Sequence, residues 1–410
     1  MRSGQSPCGL KYAVRHSGKA VAYCALSIGC GTAQEAGFPS GIAHFVEHTL
    51  FRGTRRKKAS AINGYLDRLG GELNAYTTKE EIVLHATVLK EDLWKAVKLL
   101  FELALESTFP EDEIETERGV VLDEIISYKD NPAEDVYDRF ETLLFQGHPL
   151  EHPILGTSAS VKKITARQLR SFVQTFFTPE RMAFTIVAGE DEGKLEKQLL
   201  KVVGETLGTG SRENDRPITP ELARLDHVFN KVVDKRNHEV NAVVGGYGPS
   251  LYQMPDRMVA AMLVNILGGP ASNSILNSEL REKKGWVYGI ECSYTQYAET
   301  GIVAISFGCD RPNLEACMAA IGKILTRLRE TPLSDTRVKS YRKQLLGQLA
   351  ISSEAGEAQC LSMGKSLLAW STVMSEEETR KHLEAITAED LRSMSERLFS
   401  PSNLSSLIYL

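Results

Sequence analysis

Hydrophobic and polar residues follow two patterns that alternate along the chain. Four short stretches are continuously apolar or alternate with polar residues, as β-strands do: AVAYCALSIGCGT at 20–32, EEIVLHATVL at 80–89, HEVNAVVGGYG at 238–248 and GIVAISFG at 301–308. The segments 90–106 and 311–330 instead have apolar residues at helical spacing. Since each half of the chain contains both patterns, we predict an α+β fold in which sheets pack against layers of helices.

The two halves also share a sequence repeat. ITARQLRSFVQTFFTP at 164–179 recurs 222 residues later as ITAEDLRSMSERLFSP at 386–401, and a strand-like segment follows each copy. In both copies a threonine, Thr165 or Thr387, is suited to cap a helix that ends before the proline. Because the order of the elements repeats as well, we predict two homologous domains.

The chain length agrees with this prediction. A chain of 410 residues is too long for one ordinary core and indicates two domains of about 200 residues each. The segment 204–226 is rich in Gly, Thr, Pro and charged residues and lacks apolar periodicity, which is typical of a linker. We therefore predict a first domain at 1–205, a linker at 206–225 and a second domain at 226–410.

Composition narrows the cellular setting. The net charge of -5 has mixed signs along the chain, and the basic run RRKK at 55–58 is too short to indicate nucleic-acid binding. Seven cysteines without a CxxC pair favour free thiols in a reducing compartment. The N-terminus lacks the apolar segment of a signal peptide, and no stretch approaches the about 18 apolar residues that span a bilayer. We expect a cytoplasmic protein with no membrane or nucleic-acid partner.

The stretch SGIAHFVEHTLFRGT at 40–54 contains the candidate chemistry. Ser40 is predicted to cap a largely buried helix and Gly53 to end it. His44 and His48 lie one turn apart on the same helix face, so both imidazoles can point at one metal ion. Glu47 lies beside them, where a carboxylate can act as the base for an activated water. The alternative is a pair of histidines packed in a core.

A second pair with the same spacing is an internal control. His148 and His152 also have a glutamate, Glu151, between them. Pro149 and Pro153 each follow a histidine, which excludes a regular helix. We predict a loop here that does not bind metal.

A tetrahedral site needs a third protein ligand, and the helical segment 110–132 offers candidates. Glu117 and Glu124 are seven residues apart and so share a helix face. Apolar residues surround Glu124, where an unpaired carboxylate is unfavourable and a zinc ion would be a partner. Asp123 is the rival, although it points away from Glu117. The spacing alone favours Glu124 only slightly.

These residues resemble the inverted zinc peptidases, the pitrilysin/insulysin family, whose signature is H-x-x-E-H. In that family the third ligand is a glutamate at about the distance that separates His48 from Glu124, which is 76 residues here. A further acid seven residues earlier matches Glu117. The resemblance implies that Glu117 supports a zinc-ligating histidine.

Two more segments are similar to the family. GGELNAYTTKEE at 70–81 resembles the edge strand that takes up the substrate peptide, which implies that Asn74, Ala75 and Tyr76 contact substrate. A plain hairpin would explain the two glycines of this segment equally well. LREKKGWVYGIECSY at 280–294 resembles the segment whose Arg and Tyr hold substrate and the oxyanion, here Arg281 and Tyr288. The residues alone would make Tyr288 an ordinary core or surface aromatic.

The resemblance implies a fold and an assembly. Each half should be a sheet of about six mostly antiparallel strands packed by helices. The zinc residues occur only in the first half, since Leu346 stands at the position that corresponds to Glu124. Two short chains of this family close a chamber, which implies a dimer. Because this chain carries both the zinc residues and the Arg/Tyr segment, a homodimer is favoured, and a heterodimer with a related subunit stays open.

The implied function is that of a zinc-dependent endopeptidase with one Zn²⁺ per chain and peptides as substrates. The chain is most similar to short bacterial members related to mitochondrial processing peptidase. The loop LGGPASNS at 267–274 has fewer glycines than the loop of the processing subunits, which argues against presequence specificity. The competing hypothesis is a non-catalytic structural or binding subunit of a peptidase-like heterodimer.

Overall fold

A computed structural model describes residues 1–208, 210 and 221–410, which include 206–208, 210 and 221–225 of the predicted linker. The chain divides into two compact units. The first contains Met1–Ile126, the segment that starts at His152, and Ile351–Met374; the second contains Ser127–Glu151, the segment that ends at Ala350, and Ser375–Leu410.

The described residues form two mixed sheets, and their strands include the four stretches that alternation predicted. The strands of the first sheet are β1 Arg2–Gln5, β2 Lys11–His16, β3 Val21–Ile28, β4 Glu72–Thr77, β5 Ile82–Leu89 and β6 Met182–Ala188. Those of the second are β7 Asn230–Val233, β8 Val240–Gly248, β9 Val287–Gln296, β10 Gly301–Cys309 and β11 Ser405–Tyr409.

The α-helices of the described residues alternate with these strands. In chain order they are α1 Ile42–Leu50, α2 Ala59–Asp67, α3 Leu93–Glu106, α4 Glu111–Asp130, α5 Pro132–Leu144, α6 Ser158–Val161, α7 Ala166–Phe176, α8 Glu192–Leu207, α9 Asp256–Gly268, α10 Leu314–Glu330, α11 Asp335–Ser353, α12 Gly356–Trp370, α13 Glu376–Ala385 and α14 Ala388–Leu398.

The two sheets have the same topology apart from one strand. The first has the order β1-β2-β6-β3-β5-β4 and the second β7-β11-β8-β10-β9. Neighbouring strands are antiparallel except for the pairs β2/β6 and β7/β11, which are parallel. Within the described ranges the second sheet has five strands, and β1 has no counterpart among them. The α+β class with two mostly antiparallel sheets is therefore confirmed.

The repeated helices α7 and α14 begin as the sequence predicts. Thr165 accepts a hydrogen bond from the backbone amide of Gln168, and Thr387 accepts one from the amide of Asp390. Each helix is followed by a strand whose residues are all buried, β6 or β11. The duplication is thus visible in capping, element order and strand pairing together.

In the first unit, helices cover both faces of the sheet. α3 packs on β3 and β5, and α1, α7 and α8 complete the main core on that side. On the other face α12 packs against β2, β3 and β6, where Met363 and Leu367 meet the small side chains of Ala25 and Ala183. This covering explains why the central strands are continuously apolar.

The second unit repeats the arrangement with a different set of helices. α9, α10 and α14 form the core on one side of the sheet, and α5 packs on β8 and β11. Each sheet is therefore covered partly by a helix from the other half of the chain: α12 covers the first sheet and α5 the second. The domain bounds 1–205 and 226–410 stay a prediction. The packing of α5 and α12 on the sheets is a feature that the sequence did not indicate.

Two further properties concern the whole described chain. All seven cysteines are buried free thiols. No helix among the described residues has both the length and the hydropathy needed to cross a bilayer.

Candidate metal centre

The first turn of α1 is positioned by Glu35. Its carboxylate accepts hydrogen bonds from the amides of Gly41, at 2.9 Å, and Ala43, at 3.0 Å, which have no partners within the helix. Gly41 has φ +87°, and a Cβ there would lie 2.7 Å from the carbonyl oxygen of Leu155. The prediction that Ser40 caps this helix was therefore wrong, because an acid from outside the helix supplies the acceptor.

The end of α1 also differs from the prediction. The last helical residue is Leu50 and the C-cap is Phe51, so the helix ends before Gly53. Ile42, Phe45 and Leu50 are fully buried, as the apolar pattern predicts. The core contacts of these side chains set the rotation of the helix and thereby place both histidines on the side that faces α4.

The structure brings His44, His48 and Glu124 together. Nε2 of His44 lies 3.7 Å and Nε2 of His48 lies 3.5 Å from Oε2 of Glu124. One ligand atom from each residue lies within 4.8 Å of the other two. Asp123, the rival ligand in the sequence, is exposed on another side of α4.

This cluster fits a zinc ion. Ligands bound at about 2.0 Å with tetrahedral angles are about 3.3 Å apart, close to both observed nitrogen–oxygen distances. Oε2 of Glu124 is buried and makes no hydrogen bond to any described residue, which is unfavourable unless a cation pairs with it. Two imidazoles and a carboxylate also leave a fourth position open for water or substrate, as in catalytic zinc sites.

The protonation of the histidines is compatible with metal binding. Burial, together with the nearby His48, lowers the pKa of His44 to about 4, so its imidazole is neutral at pH 7. Burial opposes the protonation of His48, but the carboxylates of Glu124, Glu117 and Glu47 outweigh it and raise the pKa. A cation between the histidines would favour the neutral form of both rings, which is the form that ligates.

Glu117 determines which nitrogen of His48 faces the cluster. Nδ1 of His48 donates to Oε2 of Glu117 across 2.9 Å, so in the neutral ring the lone pair belongs to Nε2, the nitrogen that faces Glu124. Glu117 is 2% exposed, and Arg52 forms an ion pair with its other oxygen. Glu117 therefore contacts His48 directly, and its support of a zinc-ligating histidine stays a prediction.

Glu47 is held by the end of the edge strand. Oγ1 of Thr77 donates to Oε2 of Glu47 across 2.6 Å. Burial raises the pKa of Glu47, and the hydrogen bond from Thr77 opposes that shift. Glu47 is therefore a partly buried carboxylate held next to His48.

The predicted substrate residues Asn74, Ala75 and Tyr76 lie on β4, which is an edge of the first sheet. Their backbone pairs with β5 on one side, with Asn74 opposite His85 and Tyr76 opposite Val83. This placement is suitable for strand addition. Their contact with substrate stays a prediction.

Arg281 and Tyr288 belong to the second unit. Arg281 is exposed in a π-helical turn, Asn277–Glu282, and Tyr288 lies on β9, the edge strand of that sheet. Tyr288 is 58% exposed, and its hydroxyl donates to Oδ1 of Asp310 across 2.7 Å. Their roles in binding substrate and oxyanion stay predictions.

Sequence reasoning missed three residues that shape the cluster: Glu35, Arg52 and Thr77. Arg52 follows His48 by four residues, so helical spacing is a signal for it. Thr77 belongs to the same GGELNAYT segment that drew attention to Asn74. Glu35 lies in an irregular segment, and we find no sequence signal that assigns it to the start of α1.

A helix with H-x-x-E-H and a distant glutamate that completes the cluster is typical of inverted zinc peptidases. Two family models match the chain. The model described as Insulinase (Peptidase family M16) matches residues 11–158, and the model described as Peptidase M16 inactive domain matches residues 163–345. The chain therefore belongs to the M16 peptidase family, which confirms the resemblance to pitrilysin and insulysin.

Several bacterial relatives are named as zinc proteases. An uncharacterized zinc protease of Streptomyces coelicolor is 27% identical over 89% of this chain and 79% of its own length. The uncharacterized zinc protease YmxG of Bacillus subtilis is 28% identical over 93% of this chain and 91% of its own. An uncharacterized zinc protease from Rickettsia bellii is 28% identical over 90% of this chain and 87% of its own length.

Solved structures share the fold over the full length. The crystal structure of a protease from Helicobacter pylori matches with a TM-score of 0.90 and 19% identity, covering 100% of this chain and 99% of that one. The crystal structure of a peptidase M16 inactive domain from Pseudomonas fluorescens matches with a TM-score of 0.85 and 18% identity, covering 100% of this chain and 97% of that one. At these identities the likeness is one of fold.

Proposed function

We propose that this protein is a zinc-dependent endopeptidase that hydrolyses peptides or unfolded segments inside a closed chamber formed by two copies of the chain. The observation that carries the proposal is the convergence of His44 and His48 on a buried oxygen of Glu124 that lacks a hydrogen bond among the described residues. The names of the bacterial relatives support a peptidase.

His44, His48 and Glu124 would hold one zinc ion, which supplies a Lewis acid that activates water and polarises the peptide carbonyl. Glu47 takes the proton from the attacking water and returns it to the nitrogen of the leaving amine. Thr77 orients the carboxylate of Glu47 through its hydrogen bond. Glu117 holds the ring of His48 so that Nε2 stays directed at the metal position.

Substrate would bind as an added strand along β4, where Asn74, Ala75 and Tyr76 face it, with main-chain hydrogen bonds supplying much of the affinity. Arg281 and Tyr288 would hold the substrate and stabilise the oxyanion. In a homodimer these two residues act on the metal centre of the partner copy. The support for this assembly is that one chain carries both sets of residues.

The catalytic proposal is tested with Glu47→Gln. The variant should bind zinc as the wild type does and cleave a fluorogenic peptide roughly 100- to 10,000-fold more slowly, because it lacks the base. Chelation of the metal should abolish the wild-type activity, and added Zn²⁺ should restore it. His148→Ala, outside the cluster, is the control and should retain full activity.

Cleavage by Glu47→Gln at the wild-type rate would show that the mechanism is wrong. Wild-type protein that neither retains zinc nor cleaves peptides would instead support the non-catalytic subunit. Assembly is tested separately: mixed Glu47→Gln and Tyr288→Phe subunits should recover part of the activity if centres are completed by the partner copy. Absence of recovery would indicate self-contained subunits.

A further inference from the structure

Arg52 lies at the junction between α1 and the metal cluster. It lies two residues beyond Leu50, the last residue of α1, and its amide donates to the carbonyl of Thr49 across 3.1 Å. Its side chain extends towards α4, where it reaches the same glutamate as His48, Glu117. The guanidinium forms an ion pair with Glu117 and lies 3.9 Å from Glu113 on α4.

Glu117 is thereby bound from two sides. One carboxylate oxygen accepts the hydrogen bond from Nδ1 of His48, and the other faces Arg52. A carboxylate that is 2% exposed is strongly unfavourable without a cationic partner. Of its two partners, Arg52 is the one with a planar guanidinium, whose donors match a carboxylate.

We propose that Arg52 is a positioning residue for the metal centre: through its ion pair it holds Glu117 against Nδ1 of His48 and so keeps Nε2 of His48 directed at Glu124. The inference rests on the proposed function, because it assigns Arg52 a task in metal binding. Among the described residues the guanidinium of Arg52 is paired with Glu117 and Glu113, so we infer that it acts on the cluster through Glu117.

An alternative is that Arg52 only stabilises the packing of α1 on α4. Arg118 provides a matched control variant that tests this alternative. It lies next to Glu117 on α4, pairs with Glu115 and donates to the carbonyl oxygens of Val161 and Ile164. Its removal should reduce stability without touching the contact between Glu117 and His48.

The experiment compares wild type, Arg52→Met, Arg52→Lys and Arg118→Met. Zinc affinity is measured by competition with a chromophoric chelator, and the ligand field by the visible absorption of the Co²⁺-substituted proteins. Arg52→Met should lose roughly 10- to 100-fold in zinc affinity and change the Co²⁺ spectrum, as loss of an outer partner does. Arg52→Lys should recover part of the affinity, and Arg118→Met should bind zinc as the wild type does.

A double-mutant cycle tests whether Arg52 acts through Glu117. In a Glu117→Gln background, Arg52→Met should cause little further loss of zinc affinity, because the contact it supports is already weakened. Equal zinc affinity in wild type and Arg52→Met, or an equal loss in Arg118→Met, would overturn the inference. Wild-type protein that binds zinc but cleaves no peptide would overturn the proposed function alone, and failure of the wild type to bind zinc would overturn both.

Discussion

The chain contains two histidine pairs of the same spacing, and they differ in what their ring nitrogens contact. In the first pair, Nδ1 of His48 donates to Glu117, and its Nε2 faces Glu124 together with that of His44. In the second pair, Nε2 of His148 lies 3.0 Å from Glu299, and its Nδ1 accepts from the amide of Leu150. Both nitrogens of His148 are therefore engaged.

The backbone causes this difference. His44 and His48 lie on a regular helix, which turns both rings to one side. Between His148 and His152 the chain forms only a short 3₁₀ turn, Pro149–Glu151, as expected for a segment interrupted by prolines. His152 contributes its carbonyl to a hydrogen bond from Lys79. The prediction that this segment is not a regular helix is confirmed, and equal spacing therefore does not imply an equal site.

The largest expected contrast between the pairs is in metal binding. His44→Ala should abolish tight zinc binding and reduce peptide cleavage on the order of 1,000-fold, since the metal contributes several kcal/mol to the transition state. His148→Ala should change neither quantity. Metal analysis of the purified variants and a fluorogenic peptide assay measure both. A loss of zinc in His148→Ala would show that the comparison is mistaken.

A smaller difference in zinc affinity is expected when the carboxylate that contacts each histidine pair is changed, Glu117 beside His48 or Glu299 beside His148. Glu117→Gln weakens the acceptor for His48 and should reduce zinc affinity roughly 10- to 100-fold, as substitutions of outer partners do. Glu299→Gln makes the equivalent change beside His148 and should leave zinc affinity unaltered. Chelator competition compares the two directly. If both variants bind zinc equally, Glu117 does not support the centre.

The smallest effect concerns the start of α1. Burial outweighs the hydrogen bonds from the helix amides and raises the pKa of Glu35 to about 8. The folded protein then binds this proton more tightly than the unfolded chain. The contribution of Glu35 to stability is complete below its ordinary pKa and decreases as pH rises towards 8, at no more than about 1.4 kcal/mol per pH unit.

Glu35→Gln should remove this slope. Urea unfolding of the metal-free proteins at pH 5.5, 6.5 and 7.5 measures it, so that zinc binding does not contribute. The control is Glu151→Gln at the second histidine pair, where the carboxylate accepts a hydrogen bond from the amide of Gly147. This variant should keep the pH dependence of the wild type. An unchanged pH dependence in Glu35→Gln would show that the proton on Glu35 is not linked to folding.

Much of this arrangement could be predicted from local patterns. Alternation located the strands β3, β5, β8 and β10, and the threonine caps located α7 and α14. Helical spacing placed His44 with His48 and Glu117 with Glu124 on shared faces. These features depend on residues within a few positions of each other, where backbone geometry and hydrophobic periodicity determine the outcome.

Other features required the folded chain. The hydrogen bond between His48 and Glu117 joins residues 69 positions apart, and that between Thr77 and Glu47 joins residues 30 apart. Neither separation along the chain corresponds to a helix or strand period, so no local sequence pattern indicates these contacts. Two other features also depend on contacts between distant segments. Glu35 lies at the amides of α1, and α5 and α12 each pack on the sheet formed mainly by the other half of the chain.

The sequence by itself determined the kinds of element and the ligand types, because spacing along a helix or strand sets which side chains share a face. It also carried the family resemblance through its H-x-x-E-H motif. Only the tertiary structure decided which acid meets which imidazole, since that depends on how α1, α4 and the edge of the first sheet pack. The physical reason is that the buried carboxylate of Glu117 and the buried Oε2 of Glu124 are tolerable only where their cationic or metal-binding partners converge.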